Sequence, residues 1–231
     1  MLTGLELVEL FQSMPPALMA AAGVRDAAVL GSPEGLIAVG FFGKFALIFA
    51  AYPVIMGIRA TLHEENAGTM DVLMSLPLAR SRFVFEKFLA YSLNIIVLVL
   101  LVLGGLYAGL PFVDMEFDAA RVTLVTLALI PSLIFVLALT IFVASITSRR
   151  VLVIGIMTAF VMGSFMIQTI GGMVTTDWMA LLERFSFFSY YNVENIITNG
   201  VVVSHVIGLL VVAALLLGGS LYSFERRDIA A

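Results

Sequence analysis

The sequence predicts an all-α integral membrane protein with five transmembrane helices, on the evidence of its composition, its hydropathy and five long apolar segments. Hydrophobic residues fill 61% of the 231 positions, charged residues fill only 12%, and the mean hydropathy is +1.11. Soluble domains carry about 25% charged residues. A chain with half that share is expected to have the bilayer as its solvent.

The chain has no cysteine and only two histidines, His63 and His205. A disulfide framework, a thiolate nucleophile and a cysteine-based metal site are therefore excluded, and a conventional zinc site is not expected. We predict no catalytic residue and no metal site in this chain.

Residues 1–35 are predicted to form a head outside the cytoplasm, and residues 36–231 a single transmembrane domain. Within the head, Gly31, Ser32 and Pro33 predict a turn into the first span. The head contains no adequate signal sequence and no leading span. An upstream helix is therefore expected to be missing from this chain.

Each predicted span has about 20 mainly apolar residues, the length that a transmembrane helix needs. Lys44 is the one charged residue within these spans, and Pro53 and Pro131 are expected to kink or locally unwind the first and third. The predicted spans are Leu36–Ile58, Phe88–Leu110, Val122–Ile146, Val151–Met173 and Val201–Tyr222.

Small residues recur at four-residue spacing in two of the spans. Gly105 pairs with Gly109 in one, and Gly155, Ala159 and Gly163 form a stripe in another. Such stripes let helices approach closely in lipid, so we expect them to face neighbouring helices of the bundle.

The placement of basic residues predicts the orientation, because Lys and Arg concentrate in cytoplasmic loops. If all five segments span, only Arg25, Arg121 and Arg184 lie on one side. The other side is predicted to be cytoplasmic and to include the C-terminus. It carries Arg59, Arg80, Arg82, Lys87, Arg149, Arg150, Arg226 and Arg227.

The charged loop 59–87 between the first two spans is the most informative segment. Thr61 and Glu64 have the spacing of a capping box, so a helix could start there. A second short helix is predicted from Thr69 to Ser75 and ends before Pro77. Spacing alone leaves two interpretations open: a connection between spans, or a docking element for a cytoplasmic partner.

The segment 174–200 is too polar to span and too aromatic to be a free loop. We predict one or two short helices at the outer interface, where aromatic rings act as anchors. Glu194 and its neighbours could alternatively line an outer gate. Lys44 likewise has two interpretations. It could extend to the outer interface, alone or paired with an acid there, or it could contact a substrate.

The loop contains Glu64-Glu65-Asn66-Ala67-Gly68-Thr69-Met70-Asp71-Val72-Leu73, followed by Ser75-Leu76-Pro77 and then by Arg80 and Lys87. This block resembles the corresponding loop in the permease subunits of type-2 ATP-binding-cassette transporters. The C-terminal Phe224-Glu225-Arg226-Arg227-Asp228-Ile229 and the outer segment 182–200 are also similar to that family. The resemblance covers about residues 32–229. The family norm is six spans, of which the first would be missing here.

The resemblance implies that residues 64–77 form a coupling helix that docks on a separate ATPase subunit. The implied coupling residues are Glu64, Glu65, Gly68, Thr69, Met70, Leu73, Pro77, Arg80 and Lys87, and Lys44 and Glu194 are candidates for a translocation path or gate. ATP and Mg would be bound by that partner. No phosphate-binding Gly-x-x-x-x-Gly-Lys-Ser/Thr motif occurs in this sequence.

The family also implies a dimer, with a second copy or another permease, in the plasma membrane. Membrane lipid is an expected partner and nucleic acid is not. The predicted function is therefore an ATP-driven permease that works outward, as an exporter. A secondary transporter or a non-transporting scaffold subunit are the alternatives, although buried acids for ion coupling are absent from the predicted spans.

Overall fold

A computed structural model of the chain describes residues 13–15, 18, 24, 27–66, 80–109, 112, 118–147, 149–171 and 177–226. Its regular elements are all helical, with no strand among these residues. Five of the helices are long and apolar enough to cross a membrane, which confirms the predicted all-α membrane fold. Those candidate spans are Pro33–Thr61, Ser81–Gly109, Ala119–Ile146, Arg150–Gly171 and Val203–Glu225.

The first span begins at the predicted turn. A 3₁₀ turn, Ala27–Gly31, leads to helix α1, Pro33–Ile37. Ser32 is the N-cap of α1, because its Oγ accepts a hydrogen bond from the Gly35 backbone N–H at 3.1 Å. Pro33 occupies the first helical position, where its missing N–H costs nothing.

The same span continues without a gap into its longest helix. A π-helical turn, Ala38–Phe42, follows α1, and helix α2 runs from Gly43 to Asn66. The unwinding predicted at Pro53 is not seen, since α2 continues uninterrupted through that residue. The π turn was not predicted.

The third span is broken next to its proline. Helix α4, Ala119–Leu127, and helix α5, Leu129–Ile146, meet at a turn at Ala128. Pro131 has no N–H to donate to the carbonyl of Leu127, and a proline ring crowds that carbonyl. The local unwinding predicted at Pro131 is therefore confirmed.

The remaining elements complete the bundle. The second span belongs to helix α3, Arg80–Gly109, and the fourth to helix α6, Arg150–Gly171. Three short helices follow in the segment 174–200, where one or two were predicted. They are α7, Asp177–Glu183, α8, Phe187–Tyr190, and α9, Val193–Asn199. Helix α10, Val203–Arg226, is the last span.

Helix α5 lies at the centre of the bundle. More than half of its span, 56%, is buried, against 17% to 33% for the other four spans. It packs most extensively against α2 and α10. The close approach to α2 occurs at Gly57, where an added Cβ would lie 2.6 Å from the Thr140 Cβ.

The predicted small-residue stripes do not make the contacts expected of them. An added Cβ at Gly105, Gly109, Gly155 or Gly163 would meet no atom of the described residues within 4 Å. These stripes therefore face outward, and that prediction is wrong for contacts within this chain. The close approaches to α5 instead use Gly57 on α2 and Gly219 on α10.

Two long-range hydrogen bonds identify the ends of the bundle. Arg121 at the start of α4 donates from Nη1 to the Ile197 carbonyl of α9 at 3.1 Å. We call the segment 174–200, with α7, α8 and α9, the hairpin, and this end of the bundle the hairpin end. Ser223 Oγ in α10 donates to the Ser145 carbonyl of α5 at 3.5 Å, at the opposite end. We call the latter the basic end, because it carries Arg59, Arg82, Lys87, Arg149 and Arg150.

Candidate functional site

The charged segment 59–87 is flanked at the basic end by the C-terminal part of α2 and the N-terminal part of α3, which we call its two arms. Helix α2 continues to Asn66, and α3 begins at Arg80. The capping box predicted at Thr61 and Glu64 is wrong, since Thr61 lies inside α2. Its Oγ1 donates to the Gly57 carbonyl at 3.4 Å, because the preceding turn offers an acceptor that a true N-cap lacks.

Several predicted coupling residues lie outside the residues that the structure describes. These are Gly68, Thr69, Met70, Leu73 and Pro77, together with the predicted helix Thr69–Ser75. Glu64 and Glu65 belong to the last turn of α2, and Arg80 is the first residue of α3, each described by its backbone alone. Their coupling roles stay predictions.

Charged side chains near the start of α3 contact other side chains of the same helix. Arg82 Nε lies 2.8 Å from Glu86 Oε1, one helical turn away, and both side chains are exposed. Lys87 is half-buried, with its Nζ 4.3 Å from the centre of the Phe83 ring. A cation over an aromatic face is attracted by the ring quadrupole, so Lys87 is held against its own helix.

The two arms are anchored in a close-packed base. Ala60 and Val84 are fully buried, and Thr61 is 1% exposed. Phe224 near the end of α10 is buried in the same core. Because such packing resists compression, a displacement of the segment between the arms would be transmitted to α2 and α3 as movement of whole helices.

The hairpin end is packed more deeply than an interfacial anchor would be. Phe187, Phe188 and Tyr191 are each at most 3% exposed, so these rings pack against protein and do not act as exposed anchors. The Phe187 ring stacks on Phe160 of α6 with a centroid separation of 5.9 Å. Trp178, by contrast, is 58% exposed, as an interfacial ring is expected to be.

Polar groups fix this hairpin to the spans. Ser186 Oγ donates to the Ser164 carbonyl of α6 at 2.9 Å, and Tyr191 Oη donates to the Val125 carbonyl of α4 at 3.2 Å. Burial raises the pKa of Tyr191 well above its ordinary value. The phenol therefore keeps the proton that it donates.

The two predicted gate residues, Lys44 and Glu194, lie on different helices, α2 and α9. Lys44 is exposed in the first turn of α2, with no ion pair to an acid among the described side chains. Glu194 lies half-buried in the first turn of α9, whose N-cap is Asn192. A role for either residue in a gate stays a prediction.

A cavity at the break in the third span was not predicted. It has a volume of about 10 Å³, close to the least that one water needs, and its walls include Pro131, Ser132 and His205. Ser132 Oγ is buried and has no hydrogen-bond partner among the described residues. The clue in the sequence was a serine one residue after a proline in an apolar span.

A second unpredicted feature is a groove between α2 and α6, with a volume of about 320 Å³. Its walls run from Leu47 to Ile58 on α2 and from Arg150 to Met162 on α6. Arg150 was predicted only as an orientation signal. The groove depends on the pairing of two helices separated in sequence, which hydropathy does not reveal.

These features define a multi-pass helical membrane protein with a charged segment between its first two spans. The family model of the ABC-2 family transporter proteins matches residues 11–229, nearly the whole chain. The chain belongs to that family. Searches of curated proteins and of solved structures gave no match.

Proposed function

We propose that this chain is the permease subunit of an ATP-driven transporter and is coupled through segment 59–87 to a separate ATPase subunit. The observation that carries the proposal is that α2 and α3 extend from a fully packed base toward that segment. Membership of the ABC-2 family supports it. Two rigid helices joined by a docking element can convert a partner's rigid-body movement into movement of the spans.

The chemistry of ATP hydrolysis belongs to the partner in this proposal. ATP and Mg would bind there, because this sequence carries no phosphate-binding loop. Leu73 and Met70 would be buried anchors on the partner, and Glu64, Glu65 and Arg80 would provide orienting charges at the rim. The transporter would contain two permease subunits and two ATPase subunits.

The proposed orientation puts the basic end in the cytoplasm of a cell whose plasma membrane holds the protein. Arg59, Arg149 and Arg150 are exposed at that end, as the positive-inside rule requires of cytoplasmic loops. The hairpin end then faces outward, and transport is directed toward it.

The proposal expects a P-loop ATPase in a neighbouring reading frame, and the test is co-purification with that protein. Leu73→Asp and the double variant Glu64→Ala/Glu65→Ala are expected to reduce ATPase recovery at least tenfold, since interface anchors commonly contribute 2 kcal/mol or more, roughly a factor of 30. Leu181→Asp is the matched control, because Leu181 is exposed on α7 at the other end. Full recovery with both loop variants would refute the docking proposal.

The alternatives predict different results in the same preparation. A secondary transporter would keep its transport activity when the ATPase carries a Lys→Ala change in its phosphate-binding loop. A scaffold subunit would bind the ATPase but would not change its rate of hydrolysis in vesicles. The proposed permease requires ATP hydrolysis and alters its rate.

A further inference from the structure

The groove between α2 and α6 has the length of one membrane leaflet. From Leu47 to Ile58 a helix rises about 16 Å, and from Arg150 to Met162 about 18 Å, at 1.5 Å per residue. The hydrocarbon core of a bilayer is about 30 Å thick. Because Ile58 and Arg150 lie at the basic end, the groove crosses the leaflet on that side.

The groove is elongated. Its volume of about 320 Å³ extends along about 17 Å of two helices. An extended hydrocarbon chain from one leaflet has that elongated shape.

The chemistry of the walls agrees with that occupant. Apart from Thr158 and Arg150, the described residues that line the groove are apolar, and none of them is acidic. Ile55 and Met162, at 50% and 43% exposed, show that the groove is open at the outer surface of the chain. Arg150 lies where a headgroup of that leaflet would be, and Arg59 is exposed one residue beyond Ile58.

We propose that this groove binds one acyl chain of an anionic phospholipid from the leaflet at the basic end, with the lipid phosphate held by Arg150. Guanidinium groups pair with phosphate through parallel charge-assisted hydrogen bonds. Basic pockets between spans are a general mode of anionic-lipid recognition. The site requires only a bilayer, so it does not depend on the ATPase proposed above.

Native mass spectrometry of the full chain tests the proposal by counting retained lipids. The protein is exchanged into detergent containing dioleoyl phosphatidylglycerol or dioleoyl phosphatidylcholine at equal concentrations. The wild type is expected to retain one phosphatidylglycerol with about tenfold preference. Arg150→Gln should abolish the preference. Arg149→Gln, which removes the same charge from the adjacent exposed residue outside the groove, should preserve it.

Two further variants test the apolar part of the site. Ala51→Phe and Thr158→Phe place a ring in the groove from opposite walls, and each should lower retention of both lipids several-fold. Size-exclusion chromatography and circular dichroism identify a variant that fails to fold. If one of the two variants fails, lipid retention by the other tests the proposal. Equal losses in Arg149→Gln and Arg150→Gln, or unchanged retention in a folded groove-filling variant, would overturn the proposal.

The absence of cysteine allows a direct test for a rival occupant. Met162→Cys, placed alone at the rim of the groove, should remain monomeric on oxidation in vesicles when lipid fills the site. A disulfide-linked dimer formed in high yield through this residue would place a second copy over the groove and contradict the lipid assignment.

Discussion

Gly57 shows how a single missing side chain determines the packing of this bundle. It faces Thr140 of the central helix, and an added Cβ would lie 2.6 Å from the Thr140 Cβ and 2.7 Å from its Cγ2. Thr140 cannot simply rotate away, because its Oγ1 donates to the Val136 carbonyl at 2.7 Å. In lipid, close contact of this kind replaces the hydrophobic effect as the force that joins helices.

Gly57→Ala is therefore expected to destabilise the protein by about 1–3 kcal/mol, the range for overpacked sites. Gly155→Ala is the matched control, because the same methyl group on α6 would meet no atom within 4 Å in the part of the chain that the structure describes. It should be neutral or stabilise by up to about 1 kcal/mol through the better helix propensity of alanine. Thermal unfolding in detergent measures both, and equal melting temperatures would contradict the packing argument.

At the scale of elements, apolar length predicted all five spans because the bilayer thickness sets that length. It could not predict where helices continue or which rings are buried. Thr61 looked like an N-cap, yet its hydroxyl satisfies the carbonyl of Gly57 within α2. The aromatic pattern of the segment 174–200 predicts exposed interfacial anchors, yet Phe187 packs against Phe160 and Phe135 from two other helices. Both outcomes depend on tertiary neighbours.

The candidate site was predictable to a smaller extent. The sequence predicted that the charged segment joins the first two spans, and α2 and α3 do flank it. The packed base at Ala60 and Val84, and the groove beside Arg150, arise from contacts between helices. Composition and spacing within one helix carry no information about such contacts.

The attachment of the hairpin to α4 depends on the phenol of Tyr191. Tyr191→Phe removes the hydrogen bond to the Val125 carbonyl and should weaken the attachment of the hairpin by about 1 kcal/mol. Tyr190→Phe is the control, since its bond to the Arg184 carbonyl is exposed and lies within the hairpin. Hydrogen exchange of residues 187–199 should rise about fivefold only in Tyr191→Phe, and equal exchange in both variants would contradict this anchoring.

The same hydrogen bond has a defined pH dependence. The pKa of Tyr191 is raised in the folded protein, so its contribution to stability is fully present below the ordinary tyrosine value of about 10. It should be lost as the pH rises through the raised value. The difference in stability between wild type and Tyr191→Phe is therefore expected to be constant from pH 6 to pH 9.

At the scale of the whole molecule, the two ends of the bundle differ in charge and in construction. The basic end carries Arg59, Arg149 and Arg150 and continues into the segment proposed to contact the ATPase. The hairpin end is capped by three short helices, of which α8, with the adjoining Tyr191, carries buried aromatic rings. A bundle so asymmetric should adopt one orientation in the membrane, because basic residues are retained on the cytoplasmic side.

Labelling of single cysteines tests that orientation without any background, because the natural chain has no cysteine. Phe185→Cys lies in the hairpin at a residue that is 72% exposed, and Glu225→Cys lies in the exposed last turn of α10 at the basic end. A membrane-impermeant maleimide should label Phe185→Cys in intact cells and Glu225→Cys only after permeabilisation. Neither change removes a basic residue, so the charge bias that sets the orientation is kept. Labelling of Glu225→Cys in intact cells would place the basic end outside, where no cytoplasmic ATPase could reach the segment 59–87.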